Sequence, residues 1–289
     1  MKSRKNADFS DKVAVLAVSG GVDSMTMLHK VEAGAFGDFD FVVAHFNHGI
    51  REDTDDDEKL VTTYCQNHQL RFERRKQSLG QNASEALARK RRYEFLNYVA
   101  KKYHGEIWTA HHQDDLIETM AINLIRGTGW RGLAVFDNHI KRPLIFMTKN
   151  DIYQYAKHNQ LVWRNDSTNA DLKYLRNRVR KKMAQLPDVK RKKLVTLWQN
   201  QVLIKREIDD ILSKLIKKDV VYARDFYEKL DDTTAIEVLR ALSKMHGQPL
   251  TIPQSADLLQ AIRTYQPHKK FNLPNDKFVI FSKSRFSML

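Results

Sequence analysis

Residues 13–18 read VAVLAV, six apolar residues in a row, and SGGVDS follows at once at 19–24. An unbroken apolar run this short suits a strand buried on both faces of a parallel sheet. Glycines at 20 and 21 then break the run, and a helical pattern resumes until Gly34, a good helix C-terminus. Strand, glycine turn and helix in that order open a doubly wound α/β fold, whose ligands gather at the carboxyl ends of the strands.

The pattern repeats along the chain. FDFVVAHF (39–46) reads as a second strand, and Thr54 as the cap of a helix entering the acidic stretch DTDDDE. LRFERR (70–75) is a weaker strand. Ser84 opens a long helix that ends at Gly105, EIWTA (106–110) is a fourth strand, and DDLIETMAINLIR (114–126) is a further helix. The expectation is a doubly wound, mostly parallel, Rossmann-like α/β sheet over residues 1–190. A smaller, mainly helical domain over 191–289 follows, ending in the short strands FNLP, KFVIFS and RFSML. The polar motifs SGGVDS, HFNHGIR and HHQDD each fall at the carboxyl end of an expected strand.

The charge balance points to a partner. Lys and Arg number 49 against 35 Asp and Glu, a formal charge of +14, which favours nucleic acid through counterion release. Between Lys173 and Lys193 there are ten Lys and Arg and a single acid, Asp188. A solvated helix face usually mixes its signs, so this strip reads as a phosphate-tracking surface. Cys65 is the one cysteine, which excludes internal disulfides and cysteine-built metal sites, and it reads as a packed apolar residue. No apolar run approaches the ~20 residues of a membrane span, and MKSRKNADFSDK lacks a signal core, so a cytoplasmic protein with no membrane partner is expected.

The glycine turn and the following helix N-terminus form a nest for an anion, with Ser19 and Ser24 as hydroxyl donors to phosphate. Asp23 would repel a phosphate unless Mg²⁺ bridged them. Asp114, Asp115 and Glu118 cluster at a helix start, where they either cap the helix or hold a cation. His111 and His112 lack the partners of a zinc site. Glu85 and Arg89 lie one turn apart with Arg92 nearly in line, either a solvated ion pair or a contact for RNA or nucleotide phosphate. RGTGWRGL (126–133) reads as a mobile glycine loop in which Arg126 can neutralise phosphate charge and Trp130 can stack on a base or pack down. Asp166 either belongs to a site or caps the helix after it.

SGGVDS in this setting resembles the signature of the PP-loop ATP pyrophosphatases. HFNHGIR (45–51), EALARKRRY (85–93), AHHQDDLIETM (110–120), RGTGWRGL and WRNDSTNADLKYLRNRVR (163–180) follow in order. Together they resemble the tRNA(Ile)-lysidine synthetases over residues 13–180. The resemblance implies a ligase that adenylates the C2 carbonyl of the wobble cytidine in CAU-anticodon isoleucine tRNA, then lets free lysine displace AMP. It implies Mg·ATP on Ser19, Gly20, Gly21, Val22, Asp23 and Ser24, with the adenine near His45 and Asn47, and Arg51 beside it. It implies catalytic roles for Asp23, Asp114, Asp115, Glu118 and Arg126. For tRNA and lysine it implies Glu85, Arg89, Arg92, Trp130, Asp166, Asn169, Arg176, Arg180, Lys181 and Lys182. Dimers occur in that family, so a homodimer is an expectation. The competing readings are tRNA thiolation, which needs more thiols than Cys65, small-molecule amidation, and a non-catalytic tRNA-binding protein.

Overall fold

The computed structural model describes residues 13–50, 54–80, 83–164 and 175–289. The chain divides into two compact units, one through Val202 and the other Leu203–Leu289. In the first unit β1 (Ala14–Ala17), α1 (Val22–Glu32), β2 (Phe41–Asn47), α2 (Thr54–Asn67), β3 (Phe72–Lys76), α3 (Glu85–Lys102), β4 (Glu106–Trp108) and α4 (Gln113–Ile125) alternate. A 3-10 turn (Trp130–Leu133), α5 (Lys149–His158), α6 (Leu175–Ala184) and α7 (Asp188–Leu215) follow, and the division between units falls inside α7.

The sheet runs β3-β2-β1-β4 with every pair parallel, Val15 lying opposite both Val42 and Ile107. The apolar run is therefore an inner strand, as its lack of alternation requires. Its side chains still divide by twos. Ala14, Leu16 and Val18 pack with Met25, Leu28 and Ile152 of α1 and α5, while Val15 packs with Phe95, Leu96 and Val99 of α3. Leu16 and Val15 are fully buried, each worth roughly 1.5–3 kcal/mol of transfer energy. Helices thus cover both faces, and the fold class expected from the sequence holds.

Local signals set most boundaries. Gly34 adopts φ +70° just past α1, and Ser84 accepts the N–H of Leu87 at 3.2 Å to start α3. Thr54 is the first helical residue of α2, not a residue preceding it. RGTGWRGL folds back onto α4 instead of standing open: Asn123 Nδ2 donates to Gly132 O at 2.8 Å, and Thr128 N–H to Asn123 O at 3.2 Å.

The second unit contains β5 (Val221–Ala223), α8 (Arg224–Glu228), α9 (Asp232–Met245), α10 (Ile252–Thr264), β6 (Lys270–Asn272), β7 (Phe278–Phe281) and β8 (Arg285–Met288). Its strands form an antiparallel sheet ordered β5-β8-β7-β6, packed on Leu239, Leu242, Leu258 and Ile262. The sequence reading missed β5, three residues with no alternation long enough to see. Arg224 is buried beside it and donates to the carbonyls of Ile262, Tyr265 and Ser282 at 2.6–3.1 Å, tying α10 and the β7–β8 turn together.

Gly105 joins α3 to β4 where a Cβ would stand 2.4 Å from Val13 O, the same carbonyl that accepts Glu106 N–H at 2.9 Å. Gly105→Ala is expected to cost about 2 kcal/mol by forcing β4 from β1, read from the urea midpoint at unchanged m. A midpoint equal to wild type would mean that the main chain gives way freely there.

Candidate functional site

The carboxyl ends of β1, β2 and β4 open onto a cavity of about 350 Å³. Ser19, Gly21, Asp23 and Ser24 line it from the loop after β1, His45, Asn47 and His48 from the end of β2, and His111 and Asp115 from the segment after β4. Arg92 and Leu96 of α3, Asp57 of α2 and Arg164 complete the wall. Three motifs spread over residues 19–115 thus meet in one place.

The loop after β1 is shaped by its main chain. Gly20 has φ +89°, a conformation strained for any other residue, and its position abuts the backbone of Asp57. Gly21 is extended and is the N-cap of α1, so it offers no side chain to the first N–H groups of that helix. The first N–H groups of a helix have no acceptor within the helix, which suits them to an anion. Ser24 Oγ donates to Gly21 O at 2.9 Å and lies 3.2 Å from Ser19 Oγ. Val22 is buried in the core and anchors the loop. Arg164 N–H donates to Gly20 O at 3.0 Å while its guanidinium pairs with Asp57 and Asp56 at 3.1 and 3.2 Å.

At the end of β2, His45 Nδ1 lies 2.8 Å from Val18 O, so Nδ1 carries the hydrogen and Nε2 is left as an acceptor. Burial lowers the His45 pKa, keeping the ring neutral, and Nε2 has no partner among the described residues. Asn47 serves the frame: its amide donates to Asp55 and Glu58 at 2.9 Å and its carbonyl accepts Gly49 N–H at 3.0 Å, fixing the start of α2.

The three acids at the start of α4 occupy different environments. Asp114 accepts Arg191 Nη1 at 2.5 Å and Lys149 N–H at 2.7 Å, with His112 Nδ1 at 3.6 Å. Burial alone would raise its pKa, but those donors hold the carboxyl well below the usual range. Asp115 accepts His112 N–H at 3.0 Å, closing a reciprocal cap, and also lines the cavity. Glu118 is 2% exposed and accepts Arg180 Nε at 3.0 Å, and Arg180 Nη2 lies 3.9 Å from Asp115. Burial opposes protonation of His112, yet Asp114, Asp115 and Asp23 together raise its pKa; burial drives that of His111 down to about 4. The acids are therefore partly neutralised by cations of α6 and α7.

Other expected residues lie around this centre. Arg89 and Arg92 flank the Tyr93 ring at 5.0 and 5.7 Å, and Glu85 is exposed at the first turn of α3. Arg126 is the exposed C-cap of α4, and Trp130 is half-buried with Arg131 4.7 Å from its ring; neither lines the cavity. Lys181 and Lys182 are exposed on α6. Arg51, Asp166 and Asn169 lie outside the described residues, as does the side chain of Arg176.

Two residues escaped the sequence reading. Lys149, the first residue of α5, places Nζ 2.6 Å from Asp23 Oδ1. Arg191 looked like one cation of the basic strip but is 8% exposed and also donates to Leu186 O and Met183 O. The capping box Thr148–Asp151 marks the start of α5 in the sequence, but nothing local points from it to Asp23. Among the described residues no group of three His, Cys, Asp or Glu is arranged to hold a metal by itself.

Because the folded pKa of Asp114 lies below the ~3.9 of an unfolded aspartate, its contribution is complete above about pH 5 and fades as pH falls through the folded value. Asp114→Asn should lower stability at pH 7 by on the order of 1–3 kcal/mol. The gap from wild type should be constant down to about pH 5 and shrink below it, as measured by urea unfolding at pH 7, 5 and 3. A gap independent of pH would remove the charge from this account.

The PP-loop domain profile matches residues 2–186. The tRNA(Ile)-lysidine synthase of Exiguobacterium sibiricum is 36% identical over 179 residues, covering 60% of this chain and 42% of that one. The tRNA(Ile)-lysidine synthase of Thermotoga maritima is 30% identical over 269 residues, covering 86% and 64%. This chain thus spans less than two thirds of the length of these relatives. Among solved structures, the U34-tRNA thiolase of Methanococcus maripaludis superposes with a TM-score of 0.54 at 18% identity, covering 72% of this chain and 73% of that one, a likeness of fold. With the cavity, the glycine loop and the profile in agreement, the chain belongs to the PP-loop domain family.

Proposed function

We propose that this chain is a tRNA-modifying ligase that joins free lysine to C2 of the wobble cytidine in CAU-anticodon isoleucine tRNA, consuming ATP. The observation that carries the reading is that the phosphate-type loop and Asp115 line one cavity. A nucleotide held by the first lies beside a carboxylate suited to an amine. The relatives named tRNA(Ile)-lysidine synthase support the choice of substrate.

In this reading the phosphates rest on the N–H groups opening α1, with the Ser19 and Ser24 hydroxyls beside them. The neutral Nε2 acceptor of His45 suits the exocyclic amine of adenine. Asp23, a hard oxygen donor on the cavity wall, fits a Mg²⁺ that takes its remaining ligands from phosphate and water. Such an ion would supply charge neutralisation for departing pyrophosphate. The C2 oxygen of cytidine attacks the α-phosphorus, the bond to the β-phosphate breaks and pyrophosphate leaves. The ε-amine of lysine then forms the C2–N bond as the C2–O bond breaks, and AMP carries that oxygen away. The amine must first lose a proton. Asp114 is committed to Arg191 and Lys149, and Glu118 is buried on Arg180, so Asp115 is the carboxylate we assign as base.

The competing thiolation chemistry needs a reactive thiolate. Cys65 is buried, and burial pushes its thiol up to about 12, so it is inert. No helix among the described residues is long and apolar enough to cross a membrane.

Labelled lysine should enter CAU-anticodon transcripts and not GAU ones, with release of AMP and pyrophosphate. Asp23→Ala should abolish pyrophosphate release while leaving tRNA binding within about twofold of wild type. Incorporation into neither transcript would end this reading. The exposed cations Lys181, Lys182, Lys192 and Lys193 are the proposed phosphate contacts. Their joint replacement by Gln should weaken tRNA binding and flatten its salt dependence by about one unit of slope per lost contact. A slope equal to wild type would make the strip a solubilising surface. Arg191 is left out of that set because its loss would also uncover Asp114.

A further inference from the structure

SGGVDS carries Asp23 and no lysine, yet a lysine reaches this loop from elsewhere in the fold. Lys149 lies 126 positions from Asp23 in the sequence, yet its Nζ stands 2.6 Å from Asp23 Oδ1. Its main chain is fixed twice over: the N–H donates to Asp114, and the Thr148–Asp151 capping box sets the turn it begins. The four-carbon tail is the adjustable part, with Nζ 5.1 Å from the Tyr153 ring centroid. Both side chains of the pair are about one third exposed, so the contact is open to competition. A lysine is a compact, flexible point charge with three donors, suited to trading one anionic partner for another.

We infer that Lys149 is a phosphate-contacting residue that Asp23 holds beside the loop. Binding of a metal–nucleotide takes over the carboxylate and releases the ammonium to phosphate oxygens at the same place. Asp23 and Lys149 then share two tasks: the acid engages the metal, and the lysine supplies the direct cationic contact that SGGVDS lacks. The pair also cancels the charge by which Asp23 alone would repel phosphate. This inference rests on the nucleotide reading above.

The test uses binding instead of turnover. The full chain is titrated with α,β-methylene-ATP, with Mg²⁺ and separately in EDTA. In EDTA, Asp23→Asn should bind the analogue about tenfold more tightly than wild type, because a repelling charge is gone and the ammonium is free. Adding Lys149→Met should reverse most of that gain, and adding Lys149→Arg should keep it. Equal affinity for Asp23→Asn and for the double variant with Met, both with native melting curves, would overturn the inference and leave the pair a clamp between α1 and α5. Should the Met variant fail to fold, a comparison of Lys149→Gln with Lys149→Arg in the same background decides the question in the same way. Wild type that does not bind the analogue with Mg²⁺ would instead overturn the nucleotide reading, a result visible before any variant is made.

Discussion

One carboxylate organises the site. Asp114 receives the guanidinium of Arg191 and the main-chain N–H of Lys149 on its carboxylate, while its own N–H donates to His112 Nδ1 at 3.2 Å. It stands in the first turn of α4, where the partial positive charge of the helix also favours an anion. Through it the end of β4, the start of α5 and the start of α7 are brought to one point. The other assignments follow from that junction. With α5 docked there, Lys149 reaches Asp23; with α7 docked there, its basic first turn is held near the acids of α4. Asp114 is engaged by Arg191 and Lys149, and of the three acids of α4 it is Asp115 that lines the cavity.

The fold was readable wherever a local pattern decided it. VAVLAV suited a strand buried on both faces, Gly34 and Ser84 mark helix ends by conformation and capping, and each polar motif fell at the end of a parallel strand. What could not be read was pairing at a distance. Arg191 sits 77 residues from Asp114, and Lys149 lies 126 from Asp23. No periodicity encodes such partners. The acids of α4 therefore read as helix caps or holders of a cation from outside, whereas Arg180 and Arg191 of the chain itself pair with Glu118 and Asp114. Arg191 in turn read as one more surface cation, because ten like charges in twenty-one residues conceal the one that turns inward. β5 escaped for a different reason: Val221–Ala223 is too short to show alternation, and pairing with β8 holds it.

The cationic side of the cleft balances the acidic one. Arg89, Arg92 and Arg142 all oppose a charge on His111, although burial is the larger cause of its low pKa. A neutral imidazole is therefore placed between the arginines of α3 and the acids of α4. Arg92 makes one wall of the cavity positive, and Asp115 makes the wall across from it negative.

Much of the cradle is made by main-chain atoms. Gly20 O accepts from Arg164 N–H, Val18 O accepts from His45, and the N–H of Lys149 binds Asp114. Gly105 lets two strands meet without a side chain between them. Backbone groups are common to almost every residue, so such contacts survive the drift of the side chains around them. Evolution can therefore rewrite the lining, and with it the chemistry, while inheriting the vessel.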